Sequence, residues 1–134
     1  MIHPQKSLKE SELKMNVKLI TREIENKLKE FPIHSQGNTP IPDQYVICKY
    51  FYPRGTATWL VLEGEELPDG DWEFFGACYI YEWEFGYFRL SELTKFKDNW
   101  GLGIERDRGT CGYMREVMKH EYKCPDWWEI PQSN

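Results

Sequence analysis

The first regular pattern in the chain is a set of apolar residues three or four positions apart. These residues are Ile20, Ile24, Leu28 and Phe31. Such spacing places side chains on one face of an α-helix. Thr21 is a favourable N-cap, and Pro32 cannot continue a helix because it has no backbone N–H. The pattern predicts a helix over residues 21–31, followed by a loop over residues 35–43 that is dense in turn-forming residues.

The middle of the chain carries short aromatic and β-branched runs, which are typical of β-strands. The runs are residues 45–52, 57–63, 72–81 and 85–90. Pro68, Asp69 and Gly70 mark a turn between the second and the third run. Because the connections are too short for crossover helices, neighbouring strands are expected to be antiparallel. We predict an α+β fold: an antiparallel β-meander of four to five strands, an N-terminal helix and short C-terminal helices.

Both faces of the third predicted strand are apolar. One face carries Trp72, Phe74, Cys78 and Ile80, and the other carries Phe75, Ala77, Tyr79 and Tyr81. The N-terminal helix is expected to cover one face, and C-terminal elements must cover the other unless it binds something. Trp59 and Phe74 lie in the middle of apolar runs and are expected to be buried.

Shorter elements are expected after the meander. Ser91 is predicted to cap a helix over residues 92–97, because serine is a good N-cap. Residues 101–107 are expected to contain a short strand. Apolar residues at helical spacing predict a last helix over residues 112–122.

The 134 residues of the chain are enough for one domain. Residues 1–17 lack an apolar stripe and are expected to form a flexible N-terminal extension. Residues 18–134 are expected to form a single globular domain. Its tail carries adjacent Trp127 and Trp128, which are expected to fold back onto the domain because burying two indoles is favourable.

Composition and charge narrow the class of protein. Aromatic residues make up 16% of the chain, which excludes wholesale disorder. No run approaches the roughly 20 apolar residues of a membrane span, and no secretory signal is evident, so a cytoplasmic protein is expected. The net charge is −5, and residues 31–134 hold 10 basic against 17 acidic side chains. This acidic body repels phosphates and disfavours a nucleic-acid partner.

Several stretches resemble a known family. They are LITREIENKL (19–28), VICKYFYPRGTATWLVLE (46–63), FFG (74–76), FGYFRLSEL (85–93) and GLGIERD (101–107). In this order they resemble the bacterial family catalogued as domain of unknown function 2958, over about residues 18–108. The resemblance implies a setting on plasmids, conjugative elements or phages, and no established activity. The C-terminal extension, residues 109–134, has no counterpart in it.

The four cysteines are expected to be reduced and structural. Cys48 and Cys78 lie in apolar runs, where free cysteine behaves as a small hydrophobe. Cys111, His120 and Cys124 could be imagined as zinc ligands, but their spacing matches no standard structural site. We therefore expect neither a bound metal nor another cofactor.

Paired carboxylates are the best candidates for acid and base chemistry. They are Glu82, Glu84, Glu105 and Asp107. Two carboxylates in different environments can divide the roles of acid and base, although surface ion pairs are the commoner use of such residues. Under the ion-pair interpretation, Arg89 or Arg106 is expected to pair with Glu82, Glu84 or Glu92.

The aromatic residues of the sheet suggest a different function. The candidate binding residues are Tyr79, Tyr81, Trp83, Tyr87, Arg89 and Arg106. Aromatic and arginine side chains are enriched at protein interfaces. We therefore predict a non-catalytic protein-interaction module of a mobile element, with a protein partner and action against a host defence or nucleic-acid enzyme as one version. The alternative is a small enzyme that uses the paired carboxylates on a nucleotide-like or other small substrate.

Overall fold

The computed structural model describes residues 19–125. The extension predicted for residues 1–17 and the tail with Trp127 and Trp128 lie outside the described residues. Within residues 19–125 the strands are β1 (Tyr45–Val46), β2 (Cys48–Phe51), β3 (Thr58–Glu66), β4 (Trp72–Tyr79), β5 (Trp83–Arg89), β6 (Glu105–Asp107) and β7 (Gly112–Tyr113). The helices of the same region are α1 (Arg22–Leu28), α2 (Leu90–Lys95) and α3 (Met114–Val117), and 3-10 turns occupy Ile41–Asp43 and Met118–His120.

The predicted antiparallel meander is confirmed. Five strands form one sheet in the order β5-β4-β3-β2-β6, and every neighbouring pair is antiparallel. The last strand, β6, returns to lie beside β2 and thereby closes one edge of the meander. A separate two-stranded sheet joins β1 to β7. The fold is α+β, as the sequence predicts.

The N-terminal helix begins where the sequence predicts and ends earlier. Thr21 caps α1, because its hydroxyl accepts a hydrogen bond from the Ile24 N–H at 3.2 Å. The regular helix stops at Leu28, and the next backbone hydrogen bonds tighten to three-residue turns. The carbonyl of Phe31 then accepts the N–H of Gly64 at 3.0 Å, which ties the end of this segment to β3.

The prediction that Ser91 caps the second helix is wrong. Helix α2 begins two residues earlier than predicted, at Leu90, and its N-cap is Arg89. The carboxylate of Asp71 takes the capping role, accepting the Ser91 N–H at 3.0 Å and the Ser91 hydroxyl at 2.7 Å. Asp71 immediately precedes β4, so the hydrogen bonds fix α2 to the end of the β3–β4 turn.

The predicted helix over residues 112–122 is shorter than expected. Gly112 and Tyr113 form β7, because Tyr113 pairs with Tyr45 of β1. Helix α3 follows and continues into the 3-10 turn that ends at His120. Strand pairing with a distant segment therefore overrides the local helical spacing of these residues.

The sheet has a separate hydrophobic core on each face. The first core contains Leu19, Ile20, Ile24, Leu28, Tyr50, Phe74, Phe88, Leu90 and Leu93, contributed by β2, β4, β5, α1 and α2. The second contains Val46, Leu60, Leu62, Ala77, Tyr79, Trp83, Met114, Val117 and Met118. C-terminal elements thus cover the second face, which is one of the two outcomes that the sequence leaves open. Phe74 is fully buried as predicted, whereas Trp59 is only partly buried at the margin of the first core.

A buried carboxylate holds the loop after α1. Glu63 is buried on β3, and its two carboxylate oxygens accept the backbone N–H groups of His34 at 2.7 Å and Gln36 at 2.8 Å. The side chain of Gln36 extends the network to β1 and β3, through the backbone of Tyr45 and the carbonyl of Leu62. The loop is therefore attached to the sheet by hydrogen bonds as well as by packing.

Candidate functional site

The four predicted acid and base residues do not form one site. Glu82 and Glu84 lie at the β5 edge of the sheet, whereas Glu105 and Asp107 lie on β6 at the opposite edge. Four strand spacings separate these edges, which is about 19 Å. Two carboxylates at this separation cannot act on one small substrate, so only the pairs within each edge remain as combinations.

Asp107 lies in a cleft that is organised by an ion pair. This cleft of about 320 Å³ lies over β2, and its lining includes Lys49, Asp107, His120 and Glu121. The ammonium of Lys49 binds both carboxylate oxygens of Glu121, at 2.8 and 3.1 Å, and both side chains are mostly buried. Asp107 accepts the N–H of Gly109 at 2.9 Å. These contacts fix the C-terminal segment and the loop after β6 to the sheet.

The predicted binding residues are divided between the core and separate surfaces. Tyr79 and Trp83 are buried in the second core, where their rings are 5.5 Å apart. Tyr81 is almost fully exposed in the β4–β5 turn. Tyr87 is exposed on β5 and packs against Phe75, with 4.9 Å between ring centroids. Because two of the four rings are internal, these aromatic residues do not make one binding face.

The expected ion pair of Arg89 is not formed. Within residues 19–125, no ion pair joins Arg89 to Glu82, Glu84 or Glu92. Glu92 instead accepts the backbone N–H of Arg89 at 2.9 Å, at the start of α2. Arg106 lies on β6, so the width of the sheet separates its strand from the turn that carries Glu82.

A mostly apolar pocket opens on the face of the sheet that carries the first core. Its lining residues come from the ends of β2, β3 and β4, from α2 and from the segment before β6. They are Tyr52, Ala57, Trp59, Ile80, Glu92, Leu93, Phe96 and Ile104, and they enclose about 320 Å³. We call this cavity the Trp59 pocket. Ile80 and Phe96 leave 47% and 42% of their surfaces exposed, so the apolar lining continues onto the protein surface.

The loop after α2 is hydrogen-bonded to Tyr52, one of the lining residues of the Trp59 pocket. The hydroxyl of Tyr52 donates to the Asp98 carboxylate at 2.6 Å, and the same carboxylate accepts the N–H groups of Trp100 and Leu102 at 2.8 and 2.9 Å. The guanidinium of Arg54 lies 3.9 Å from Asp98 and 4.5 Å from the Trp100 ring centre. Through Asp98, this network attaches the loop that carries the exposed Trp100 to Tyr52, which lines the pocket.

The electrostatics of this loop favour an ionised carboxylate. The hydrogen bond from Tyr52 lowers the pKa of the Asp98 carboxyl below its ordinary value, and the two backbone N–H groups and Arg54 lower it further. The same hydrogen bond raises the pKa of the Tyr52 hydroxyl. Both groups therefore keep the protonation states that the hydrogen bond requires at neutral pH.

A larger groove of about 740 Å³ lies between α1 and the β6–β7 segment. Its charged lining has mixed signs: Arg22, Lys27, Arg106 and Arg108 alternate with Glu23, Glu30 and Asp107. Because both signs of charge line the groove, it lacks the uniform sign of an anion-binding site.

The four cysteines lie in different environments, and none of them forms a disulfide. Burial raises the pKa of the Cys48 thiol to about 12. Burial, and then the charge of Glu84, raises the pKa of the Cys78 thiol to about 12. Cys111 lines the groove beside α1, whereas His120 lines the cleft over β2. Within residues 19–125, no group of three or more His, Cys, Asp or Glu side chains could hold a metal ion.

We expect iodoacetamide to label the folded protein first at Cys111. Cys111 is exposed, whereas the raised pKa values of Cys48 and Cys78 reduce their thiolate fractions about a thousandfold relative to an ordinary thiol with a pKa of 9. Peptide mass spectrometry measures the labelling rate at each position, and unfolding in urea should make Cys48 and Cys78 as reactive as Cys111. Equal rates in the folded state would contradict the burial of Cys48.

Sequence reasoning missed the Trp59 pocket because its residues are far apart in the chain. In the sequence, Tyr52 and Trp59 lie in predicted strands, and Phe96 lies in a predicted short helix, on its inward side. The pocket exists because β6 returns to β2 and brings the segment with Ile104 against the end of α2. Asp98, with turn formers around it, is the local signal that a fixed loop follows α2.

A known protein family matches most of this chain. Among residues 19–125, no helix has both the length and the apolar character needed to cross a membrane. No curated protein and no solved structure matches the chain. A family model described as "Protein of unknown function (DUF2958)" matches residues 19–115 and thus most of the chain, including every residue of the Trp59 pocket. The match extends beyond Arg108, where the resemblance seen in the sequence ends. The chain therefore belongs to the DUF2958 family.

Proposed function

We propose that this protein is a non-catalytic protein-interaction module that binds its partner through the Trp59 pocket. The observation that carries the proposal is an apolar pocket lined in part by large, partly exposed side chains, namely Ile80 and Phe96. Protein interfaces are centred on aromatic and aliphatic side chains of this kind, which bury most of their surface when a partner docks.

The setting that we propose is a plasmid, phage or conjugative element of a bacterium. There the protein would act in the cytoplasm on a host protein, and a defence or nucleic-acid enzyme is the version that its charge favours. Enzymes that act on nucleic acids have basic grooves, and a chain with a net charge of −5 is attracted to such a groove.

The arrangement of the acidic residues favours binding over catalysis. One carboxylate, that of Glu92, lies among the lining residues of the Trp59 pocket. It accepts a hydrogen bond from the backbone N–H of Arg89. Paired carboxylates that could divide acid and base roles are absent from the described lining of this pocket. The pocket is therefore better suited to bind an apolar surface of a partner protein than to catalyse a reaction.

We expect a photo-cross-linking amino acid, p-benzoyl-phenylalanine, to capture the partner when it replaces Phe96 in cells that carry the gene. Ile80→Asp in the same chain should reduce this cross-link at least about tenfold, because a charge in an apolar contact must be desolvated on binding. Mass spectrometry of the cross-linked band measures the yield.

Tyr87 provides the matched control. Its exposed fraction, 54%, is close to that of Ile80, but it lies on the opposite face of the sheet. Tyr87→Asp should leave the cross-link from position 96 unchanged, and thermal unfolding should show that both variants are folded. Loss of the cross-link in Tyr87→Asp, together with its survival in Ile80→Asp, would place the contact on the other face and refute the proposal.

A further inference from the structure

The two edge strands of the five-stranded sheet differ in length and composition. One edge is β6, which has three residues, all of them charged. Short, charged edge strands are a common protection against pairing with another chain. The other edge is β5, which has seven residues, four of them aromatic. It contains neither Pro nor Lys, and its register with β4 runs without a shift from Trp83 to Arg89. The β5 edge therefore lacks the main features that protect an edge strand.

A further strand can approach β5 from its outer side. Among residues 19–125, β4 is the only strand that pairs with β5. Helix α2 follows β5 directly, but it turns inward over the first core, because Ser91 is hydrogen-bonded to Asp71 and Leu93 packs into that core. The helix therefore does not run along the outer side of β5. An edge strand of this kind presents backbone N–H and C=O groups that another strand can pair with.

From these features we infer that β5 pairs with β5 of a second copy of this chain, antiparallel and around a two-fold axis. The middle residue of the strand is Gly86, so pairing over the whole length of β5 places the axis at Gly86. The two five-stranded sheets then join into one sheet across the dimer. The inference goes beyond the proposed function, because no residue that lines the Trp59 pocket belongs to β5.

The pairing brings aromatic side chains together on the second face of the sheet. Tyr87 is 54% exposed and packs against Phe75 of its own chain. With the axis at Gly86, Tyr87 faces Phe85 of the second copy, and the symmetry repeats this contact. Aromatic pairs that lie opposite each other on antiparallel strands are stabilising. The dimer therefore buries part of the tyrosine surface that a single copy exposes.

The charges of β5 are compatible with this pairing. The strand has one acidic and one basic residue, Glu84 and Arg89. With the axis at Gly86, Glu84 faces Phe88 of the second copy and Arg89 faces Trp83, so no charge lies opposite one of the same sign. The paired strands carry no net charge. The net charge of −5 on each chain thus opposes association only through charges outside the contact, which salt screens.

Gly86→Lys tests the inference without disturbing the interior of a single copy. A Cβ atom at position 86 meets nothing within 4 Å, so the variant should fold. In the dimer the two lysines would lie opposite each other at the axis. We expect sedimentation velocity to show a dimer for the full-length protein in the micromolar range, and a dissociation constant about fivefold higher or more for Gly86→Lys. Gly86→Ala is the matched control, because it adds a side chain without a charge and should remain dimeric.

A cysteine at the axis tests the register. Opposite Cβ atoms of an antiparallel pair lie about 4.5–5.5 Å apart, which is close to the spacing across a disulfide. Gly86→Cys should therefore form a disulfide-linked dimer on mild oxidation, in a Cys111→Ser background that lacks the exposed native thiol. Tyr81→Cys in the same background is the control. Tyr81 is almost fully exposed, but it lies five residues from the axis, so its two copies would be about 30 Å apart and should not cross-link.

The other results would overturn the inference. A full-length protein that stays monomeric in the micromolar range does not pair through β5. A dimer that persists in folded Gly86→Lys associates through a different surface. If circular dichroism shows that Gly86→Lys is unfolded, the Gly86→Cys cross-link decides, and a yield no higher than that of Tyr81→Cys refutes the pairing. The cross-link from position 96 tests the proposed function separately, because it depends on the Trp59 pocket.

Discussion

Gly76→Ala is expected to prevent folding. A Cβ atom at this position would lie 1.8 Å from the carbonyl oxygen of Leu60 and 2.9 Å from its carbonyl carbon. Both atoms belong to the backbone of the neighbouring central strand, so no side-chain rotation can relieve the contact. We expect a loss of at least about 5 kcal/mol, which is comparable with the whole stability of many domains. Circular dichroism and thermal unfolding measure the effect.

Gly86→Ala is the control for Gly76→Ala. Gly86 is the cross-strand partner of Gly76 on β5, and a Cβ atom there would meet nothing within 4 Å. Alanine lowers the conformational entropy of the unfolded chain, so this variant should be as stable as the wild type or slightly more stable. A soluble, cooperatively unfolding Gly76→Ala protein would show that β3 and β4 do not approach each other as described.

The second large effect is expected at Glu63. Glu63→Ala shortens the side chain to a methyl group and thereby removes the buried carboxylate. This carboxylate accepts two backbone N–H groups, those of His34 and Gln36. A buried hydrogen bond to a charged group contributes about 1.5–3 kcal/mol, and two donors are left unsatisfied. We therefore expect the free energy of unfolding to fall by about 3–5 kcal/mol, as measured by urea denaturation.

Two further variants separate the hydrogen bonds from other consequences of the change at Glu63. Glu63→Gln keeps one carbonyl oxygen as an acceptor and should lose less stability than Glu63→Ala. Glu65→Ala removes an exposed carboxylate from the same strand and should change stability by no more than about 0.5 kcal/mol. If Glu63→Ala and Glu65→Ala are equally stable, the loop after α1 is not held by the carboxylate.

Local patterns were enough to predict the helix at Thr21 and the antiparallel meander. The apolar spacing around Ile24 and the turn at Gly70 depend on neighbours in the sequence, and both are present in the structure. The predictions for Ser91 and Gly112 are wrong because the partners of these residues, Asp71 and Val46, are distant in the sequence. A local pattern does not contain the hydrogen-bond partner that decides these positions.

The face of β3 on which Glu63 lies is also not predicted by the local sequence pattern. Regular alternation along β3 would place it on the same face as Val61, in the first core. The register shifts between Val61 and Glu63, which turns Glu63 to the face of Phe75, within reach of the loop after α1. The Trp59 pocket depends in a similar way on the return of β6 to β2. Single bulges and long-range strand order are not visible as a periodic pattern.

The C-terminal residues that cover the second core extend beyond the segment that the family model matches. The family match ends at residue 115, whereas Val117 and Met118 of the second core, and Glu121 bound to Lys49, all lie beyond it. The matched segment is therefore shorter than the unit that closes this core in this chain. Shortening the chain to residue 115 would remove Val117 and Met118 from the cover of Leu60, Leu62 and Ala77, so the family match alone does not define a segment of this chain that should fold independently.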